Sequence, residues 1–252
     1  MTGWKIFTHS LKMVFGNIDA ALRISLVLYL AQQAVGIYFA GKYGQTLKMM
    51  EQNMLVIPPS GFWPTLFVML LVSLVTSLWI AISWHRYVLL EENPRTFIPP
   101  VSGERLLAYF GKTVILMLIM IAIGAVVGFV VSLLGFAIGP QALEVIVPLI
   151  LIGTMLYFSY RIGLVFPAVA LDKPIGFRES WEITRSAAGA VFQLSVIAIG
   201  FAILIRLPGN MAPDSMSVID MVYSAVMGWI AMMVGVSVLT TLYGVYEEGR
   251  EL

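Results

Sequence analysis

Long apolar runs separated by short polar stretches dominate the chain. Residues 4–15 (WKIFTHSLKMVF) set Trp4, Phe7, Leu11 and Phe15 at helical spacing, with Lys5, His9 and Lys12 elsewhere. That pattern predicts a helix lying in the headgroup region, too short to span. Asn17 and Asp19 offer N-caps for a first span over about 20–40. Gln32 and Gln33 interrupt it and are expected to join helix–helix hydrogen bonds. A polar, Met-rich loop is expected over 41–61, closed by Pro58-Pro59.

The second span is expected over about 62–84, with Phe62 and Trp63 at one interface and Trp79 and Trp84 towards the other. Residues 102–112 read as an amphipathic interfacial segment capped by Ser102 and running on into a third span, about 113–138. Gly139-Pro140 predicts a tight turn into a fourth span, about 142–166. A second interfacial segment, 177–189, leads to a fifth, about 190–207. PGNMAPDSMS reads as a loop before the sixth, about 218–245. Small residues at packing spacing, Gly124 and Gly128, Gly135 and Gly139, then Gly228 and Gly235, predict close helix approach. The expected fold is thus one all-α integral membrane domain, 1–252: six transmembrane helices as three hairpins, with amphipathic interfacial helices on the cytoplasmic side.

A weak repeat supports the hairpins. Three runs end alike, in Leu89-Leu90-Glu91-Glu92, Ala170-Leu171-Asp172-Lys173 and Val245-Tyr246-Glu247-Glu248. Glu92 and Asp172 are 80 residues apart, Asp172 and Glu248 76. Charge sets the orientation. Lys5, Lys12, Arg23, Arg86, Arg95, Arg105, Lys112, Arg161, Lys173, Arg178, Arg185 and Arg250 fall on the side of the termini, against Lys42, Lys48 and Arg206 on the other. The positive-inside rule therefore places both termini in the cytoplasm.

Composition excludes more than it assigns. With 60% hydrophobic and 12% charged residues and a mean hydropathy of +0.92, the chain falls outside the globular range. Fifteen basic against 14 acidic residues leave no surplus for a nucleic-acid partner. The absence of cysteine removes disulfides, thiolate metal sites and cysteine nucleophiles. The N-terminus lacks a signal-peptide pattern. No hydrolase, metalloprotease, P-loop or dinucleotide fingerprint occurs, His9 and His85 lie in separate junctions, and neither metal nor cofactor is implied.

Ionisable residues inside apolar spans are the first candidates for chemistry. Glu144, Arg206 and Asp220 fall near the outer ends of their spans, where pairing or solvation explains them. Arg161 falls at the inner boundary of the fourth span. It is expected to pair with Asp172 or Glu182, the sharper alternative being a lipid phosphate or other anion. Trp181, Arg185, His85 and Arg86 complete the candidate lipid or anion contacts, with His85 read as an interfacial anchor.

Arg161-Ile-Gly-Leu-Val-Phe-Pro167-Ala, Leu171-Asp172 and Ser180-Trp181-xx-Thr184-Arg-Ser-Ala-Ala-Gly189 resemble a pattern of bacterial membrane proteins of the YciC-like kind, a family of unsettled biochemical role. The same residues are similar to the membrane domain fused to some glycerophosphoryl diester phosphodiesterases, and Leu242-Tyr243-xx-Tyr246-Glu247-Glu248 resembles the closing segment. The resemblance implies a six-span architecture without the soluble catalytic domain of those enzymes. The expected function is a non-catalytic bacterial inner-membrane scaffold or lipid-contacting module. Its partners would be membrane lipids, other membrane proteins or a second copy. The alternative is a permease for a small hydrophobic or anionic substrate. Because the chain has no cysteine, single cysteines at Gly44, Gln141 and Met211 should label with an impermeant maleimide from outside the cell. One at Gly249 should label only after lysis.

Overall fold

The computed structural model describes residues 2–52, 55–138, 140–211 and 218–251, without the side chains of 134–145 and 206–211. The order is α1 (Gly3–Gly16), α2 (Ile18–Glu51), α3 (Phe62–Leu90), α4 (Gly103–Ile138), α5 (Pro140–Ile162), α6 (Val165–Ala170), α7 (Phe177–Ile183), a 3₁₀ turn (Arg185–Ala187), α8 (Ala188–Met211) and α9 (Val218–Tyr246). There is no strand among the described residues.

Five helical stretches are long and apolar enough to cross a membrane: α2, α3, the 103–133 part of α4, the 185–205 stretch leading into and through α8, and α9. The chain is a multi-pass membrane protein. The remaining apolar run forms α5, whose described part, Ile146–Ile162, is shorter. It stops at Ile162 rather than near Phe166, and the next residues form the separate α6.

Two expected loops are partly helical. α2 continues through 41–51, giving 34 residues and a length of about 51 Å, well beyond a hydrocarbon core of about 30 Å. Aromatic stacking holds this extension: Phe39 and Tyr43 of α2 and Phe62 of α3 are all buried, with ring centroids 5.2–5.3 Å apart. α8 likewise takes in Pro208–Met211, and the rest of that expected loop lies outside the described residues.

α1 departs most from expectation. Its buried face is Gly3, Ile6, Phe7, Ser10 and Val14, while Trp4 and Phe15 are half exposed. It lies against both α8 and α9. Gly3 N donates to Gln193 Oε1 at 2.8 Å, and Ser10 shares a hydroxyl hydrogen bond of 3.0 Å with Thr241. α2 packs along α3 and α4 along α5, whereas α8 and α9 meet only lightly because α1 lies between them.

The large core occupies one half of the molecule, where α3, α6 and α9 touch pairwise. At the glycines, Gly124 faces Met155 and Gly228 faces the Tyr29 hydroxyl, which donates to Ala225 O at 2.8 Å. Gly128 and Gly235 have nothing within 4 Å of an added Cβ, so spacing alone overstates their role. The surroundings of Gly135, and Gly139 itself, lie outside the described residues.

Gly3 is the closest helix approach. A Cβ there would sit 2.4 Å from Ala190 O and 2.5 Å from Leu194 N, both backbone atoms. Gly3→Ala should therefore cost about 1–3 kcal/mol through overpacking. Gly16→Ala, with open space around it, should not destabilise. Thermal unfolding of the two variants in detergent checks this.

Candidate functional site

The site grows from a helix that cannot continue. Pro167 has no N–H to give the carbonyl of Gly163, and its ring crowds that carbonyl, which favours a break here, whereas Pro148 is carried inside α5. Instead Phe166 N bonds Gly163 O at 3.1 Å and α6 starts afresh. Gly163 lets the bend come close to its neighbours. A Cβ on it would lie 2.3 Å from Ser159 O and 2.8 Å from a Leu239 methyl on α9.

The break frees backbone groups in a buried place, and α7 supplies their partners. Ser180 and Thr184 are four apart, hence on one face. Ser180 Oγ donates to Arg161 O at 3.0 Å and accepts from Leu164 N at 3.2 Å, bridging the two sides of the break. Thr184 Oγ1 lies 3.0 Å from Arg161 O and 2.9 Å from Ser180 O, and shares its proton between them. α7 is held at its start by Glu179, whose carboxylate accepts from Gly176 N at 3.2 Å, one half of a capping box.

Arg161 closes the junction. It is 3% exposed. Its Nε donates to Thr184 Oγ1 at 2.9 Å, Nη1 to Tyr157 Oη at 3.0 Å and Nη2 to Trp181 O at 3.0 Å. The guanidinium carbon lies 3.9 Å from the centre of the Trp181 ring, which stacks on Phe158 at 5.7 Å. The expected pairing with Asp172 or Glu182 is corrected: neither reaches it. Asp172 binds Arg105 through two hydrogen bonds of 3.0 and 2.7 Å and Arg86 at 3.2 Å. Glu182 lies 3.6 Å from Arg185 on the exposed surface. Three oxygens and a π face hold Arg161, with no carboxylate among the described residues.

The five candidate lipid or anion contacts divide between two places. Arg161, Trp181 and Arg185 belong to the α5–α7 junction, with Arg185 exposed. His85 and Arg86 belong to the end of α3. His85 is no interfacial anchor: it is fully buried, with Nδ1 2.8 Å from Thr240 Oγ1 and Nε2 3.3 Å from Tyr109 Oη. Trp84 is equally buried and donates to Ser237 Oγ at 2.8 Å. Arg86 forks onto the Glu92 carboxylate and donates to Ala170 O at 2.8 Å. Glu144 and Arg206 have side chains outside the described residues, and Asp220 opens α9.

Sequence reasoning missed Ser180, Thr184, Tyr157, Arg105 and Arg250. The i, i+4 spacing of Ser180 and Thr184 after a Gly-xxx-Pro break was the available signal. Arg250 donates to Leu89 O at 2.7 Å and Val88 O at 3.4 Å, capping α3 from the far end of the chain. No family model, curated protein or solved structure matches the chain.

The Arg105 hydrogen bonds, helped by the charges of Arg105 and Arg86, hold the Asp172 carboxyl below its usual range. A depressed carboxyl stabilises the fold above its unfolded value, near ~3.9, and that contribution disappears as pH falls through the folded value. Asp172 has φ +60°, a conformation asparagine tolerates as well as aspartate does. Asp172→Asn should thus lower the unfolding temperature at neutral pH. The gap to the parent should close as pH drops below ~4, as thermal scans across that range would record.

Proposed function

We propose that the protein is a non-catalytic membrane scaffold or lipid-contacting module of the bacterial inner membrane. It has six spans in three hairpins and both termini in the cytoplasm. The observation that carries this reading is the use made of Arg161. The deeply buried cation of the stretch richest in polar residues is spent on joining α5 to α7.

Other polar side chains within the spans are used in the same way. Gln32 donates to Thr76 Oγ1 at 2.7 Å and Ser77 Oγ at 3.0 Å, Trp84 to Ser237, and Trp229 to Ser25 Oγ at 2.7 Å. Interhelical bonds of this kind replace the hydrophobic drive that helices lack in lipid. The three similar chain ends also share a backbone feature: Glu91, Asp172 and Gly249 all have left-handed φ, of 58°, 60° and 69°. A left-handed residue within three positions of each helix end supports the threefold hairpin repeat. For the permease alternative, a polar route uniting Gln32 with Arg161 would be needed, yet Gln32 bonds to α3 and Arg161 to α7 and Tyr157.

Arg161→Ala decides between the readings. It removes the guanidinium donor from the Tyr157 and Thr184 hydroxyls, leaves the Trp181 carbonyl with only the longer Thr184 hydroxyl contact of 3.2 Å, and removes a desolvated cation–π contact. The expected loss is about 2–4 kcal/mol. Folded protein recovered from membranes should fall sharply, while the lipids retained per folded molecule, read by native mass spectrometry, stay unchanged. Normal accumulation with loss of bound anionic lipid would instead make Arg161 a lipid contact, and normal accumulation with loss of substrate uptake would favour the permease.

A further inference from the structure

Beside the end of α3, the 91–100 connection borders an open cavity of about 510 Å³ that the Arg161 junction does not touch. Ile24, Ser83, Arg86, Glu92, Arg95 and Ile98 are among the residues that line it. The floor is anchored, since Trp79 Nε1 donates to Pro99 O at 2.8 Å. Its volume is within the range of small-ligand sites.

Two polar groups on its wall stand out. The Ser83 hydroxyl is buried, its residue 8% exposed, and has no hydrogen-bond partner among the described residues. Buried hydroxyls are normally paired, and the other helical serines nearby bond back one turn, as Ser25 does to Ala21 O and Ser237 to Met233 O. Arg95 is exposed and makes no ion pair among the described residues. The wall carries two cations and one anion, and Glu92 is already consumed by the two-pronged bond to Arg86. Its surplus is therefore one positive charge, that of Arg95. The remaining wall carries the neutral polar Asn93 and Thr96 and the apolar Ile24, Ile98 and three prolines. Phe97 and Ile98 expose about half of their side chains beside it, and Val27, one turn beyond Ile24, is 39% exposed. An apolar flank thus runs from the cavity along α2.

We propose that this cavity binds the phosphodiester headgroup of an anionic phospholipid. Arg95 meets the phosphate. The Ser83 hydroxyl, roughly 4.5 Å deeper along α3 than Arg86, bonds the ester region, and the acyl chains leave along the apolar flank of α2. The proposal deepens the lipid-contacting reading and rests on it. A soluble phosphate ester shares the anion chemistry but has nothing to place on Ile24, Ile98 and Val27.

The test uses the full chain in phosphatidylcholine nanodiscs doped with phosphatidylglycerol or, in parallel, phosphatidylethanolamine, with retained lipid read by native mass spectrometry. Phosphatidylglycerol should be retained preferentially. Arg95→Gln should weaken its retention roughly fivefold, the worth of one basic contact at an anionic surface. Arg178→Gln, an exposed basic residue elsewhere on the same face, should not. Ser83→Leu should fill the cavity and abolish the preference; if it fails to fold, Ser83→Ala with Arg95→Gln carries the comparison. Unchanged retention in the cavity variants, with the parent still enriched, would overturn this site and leave lipid contact elsewhere intact. No enrichment in the parent would overturn the site together with the lipid-contacting reading. If glycerol 3-phosphate stabilises delipidated protein as well as phosphatidylglycerol does, the soluble ester is the ligand and the lipid assignment falls.

Discussion

A helix that breaks in apolar surroundings must find partners for the backbone groups it sets free, because no water is there to take them and each orphan costs several kcal/mol. The break between α5 and α6 imposes this demand on the whole centre of the molecule. Its cause is local, Gly163 followed by Pro167, but its solution is not. Ser180 and Thr184 can reach the Arg161 carbonyl and the Leu164 amide only if α7 lies across the bend. Arg161 then fixes α7 from the other side through the Trp181 carbonyl and ring. With α7 fixed, the 3₁₀ turn at 185–187 sets where α8 begins, and α1 packs on α8 in turn. The choice of arginine is consistent with the site. A guanidinium is weakly hydrated and planar, so it can donate to three separate oxygens and lie over an aromatic face. A carboxylate beside it would add a second charge to desolvate.

The same concern with helix ends recurs at α3, α6 and α9. Each is followed by a left-handed residue, and two of the three stops are covered by an arginine from another segment. Arg250 bonds the last carbonyls of α3, and Arg86 bonds the last carbonyl of α6. Cations suit these places twice over, as donors for unpaired carbonyls and as counter-charges to the helix dipole. Asp172 then ties Arg86 and Arg105 together, so the ends of α3 and α6 and the start of α4 become one polar seam. Its members are partly exposed, so each adds little energy. Their value is in fixing how the three ends sit relative to one another.

The sequence makes the apolar runs plain because length and hydropathy suffice to find them, and α3, α4 and α9 begin close to where the pattern puts them. Facing directions are another matter. Trp84 and His85 read as interfacial because they sit at the end of an apolar run beside Arg86, yet Thr240 and Ser237 on α9 draw both inward, and no local pattern reveals a partner more than 150 residues away. The α1 pattern sets Trp4, Phe7, Leu11 and Phe15 on one face, whereas contact with α8 turns the small Gly3 inward and contact with α9 the polar Ser10. Arg161 was legible as the odd residue of its span. Its partners are not legible: opposite charges nearby in the chain suggest a pair, whereas Asp172 is held by Arg86 and Arg105.

These errors have a common origin in how helices associate in lipid. Apolar side chains gain nothing by leaving lipid for a neighbouring helix, so hydropathy cannot mark the inward face. In α4, 6% of the most apolar window is buried, against 44% in α9. The difference tracks small and polar residues instead. α9 brings Ser237, Thr240, Thr241 and Gly244 to its buried side, while α4 presents Leu107, Met117, Leu118, Ile121, Val126 and Phe129 outward. Hydroxyls and glycines choose the neighbours, and the largest apolar side chains are left for the bilayer. A buried hydroxyl with no hydrogen-bond partner among the described residues, as at Ser83, therefore stands out more in this fold than an exposed leucine does. In a membrane bundle such a group is where the helix pattern leaves a bond to be completed by something other than a helix.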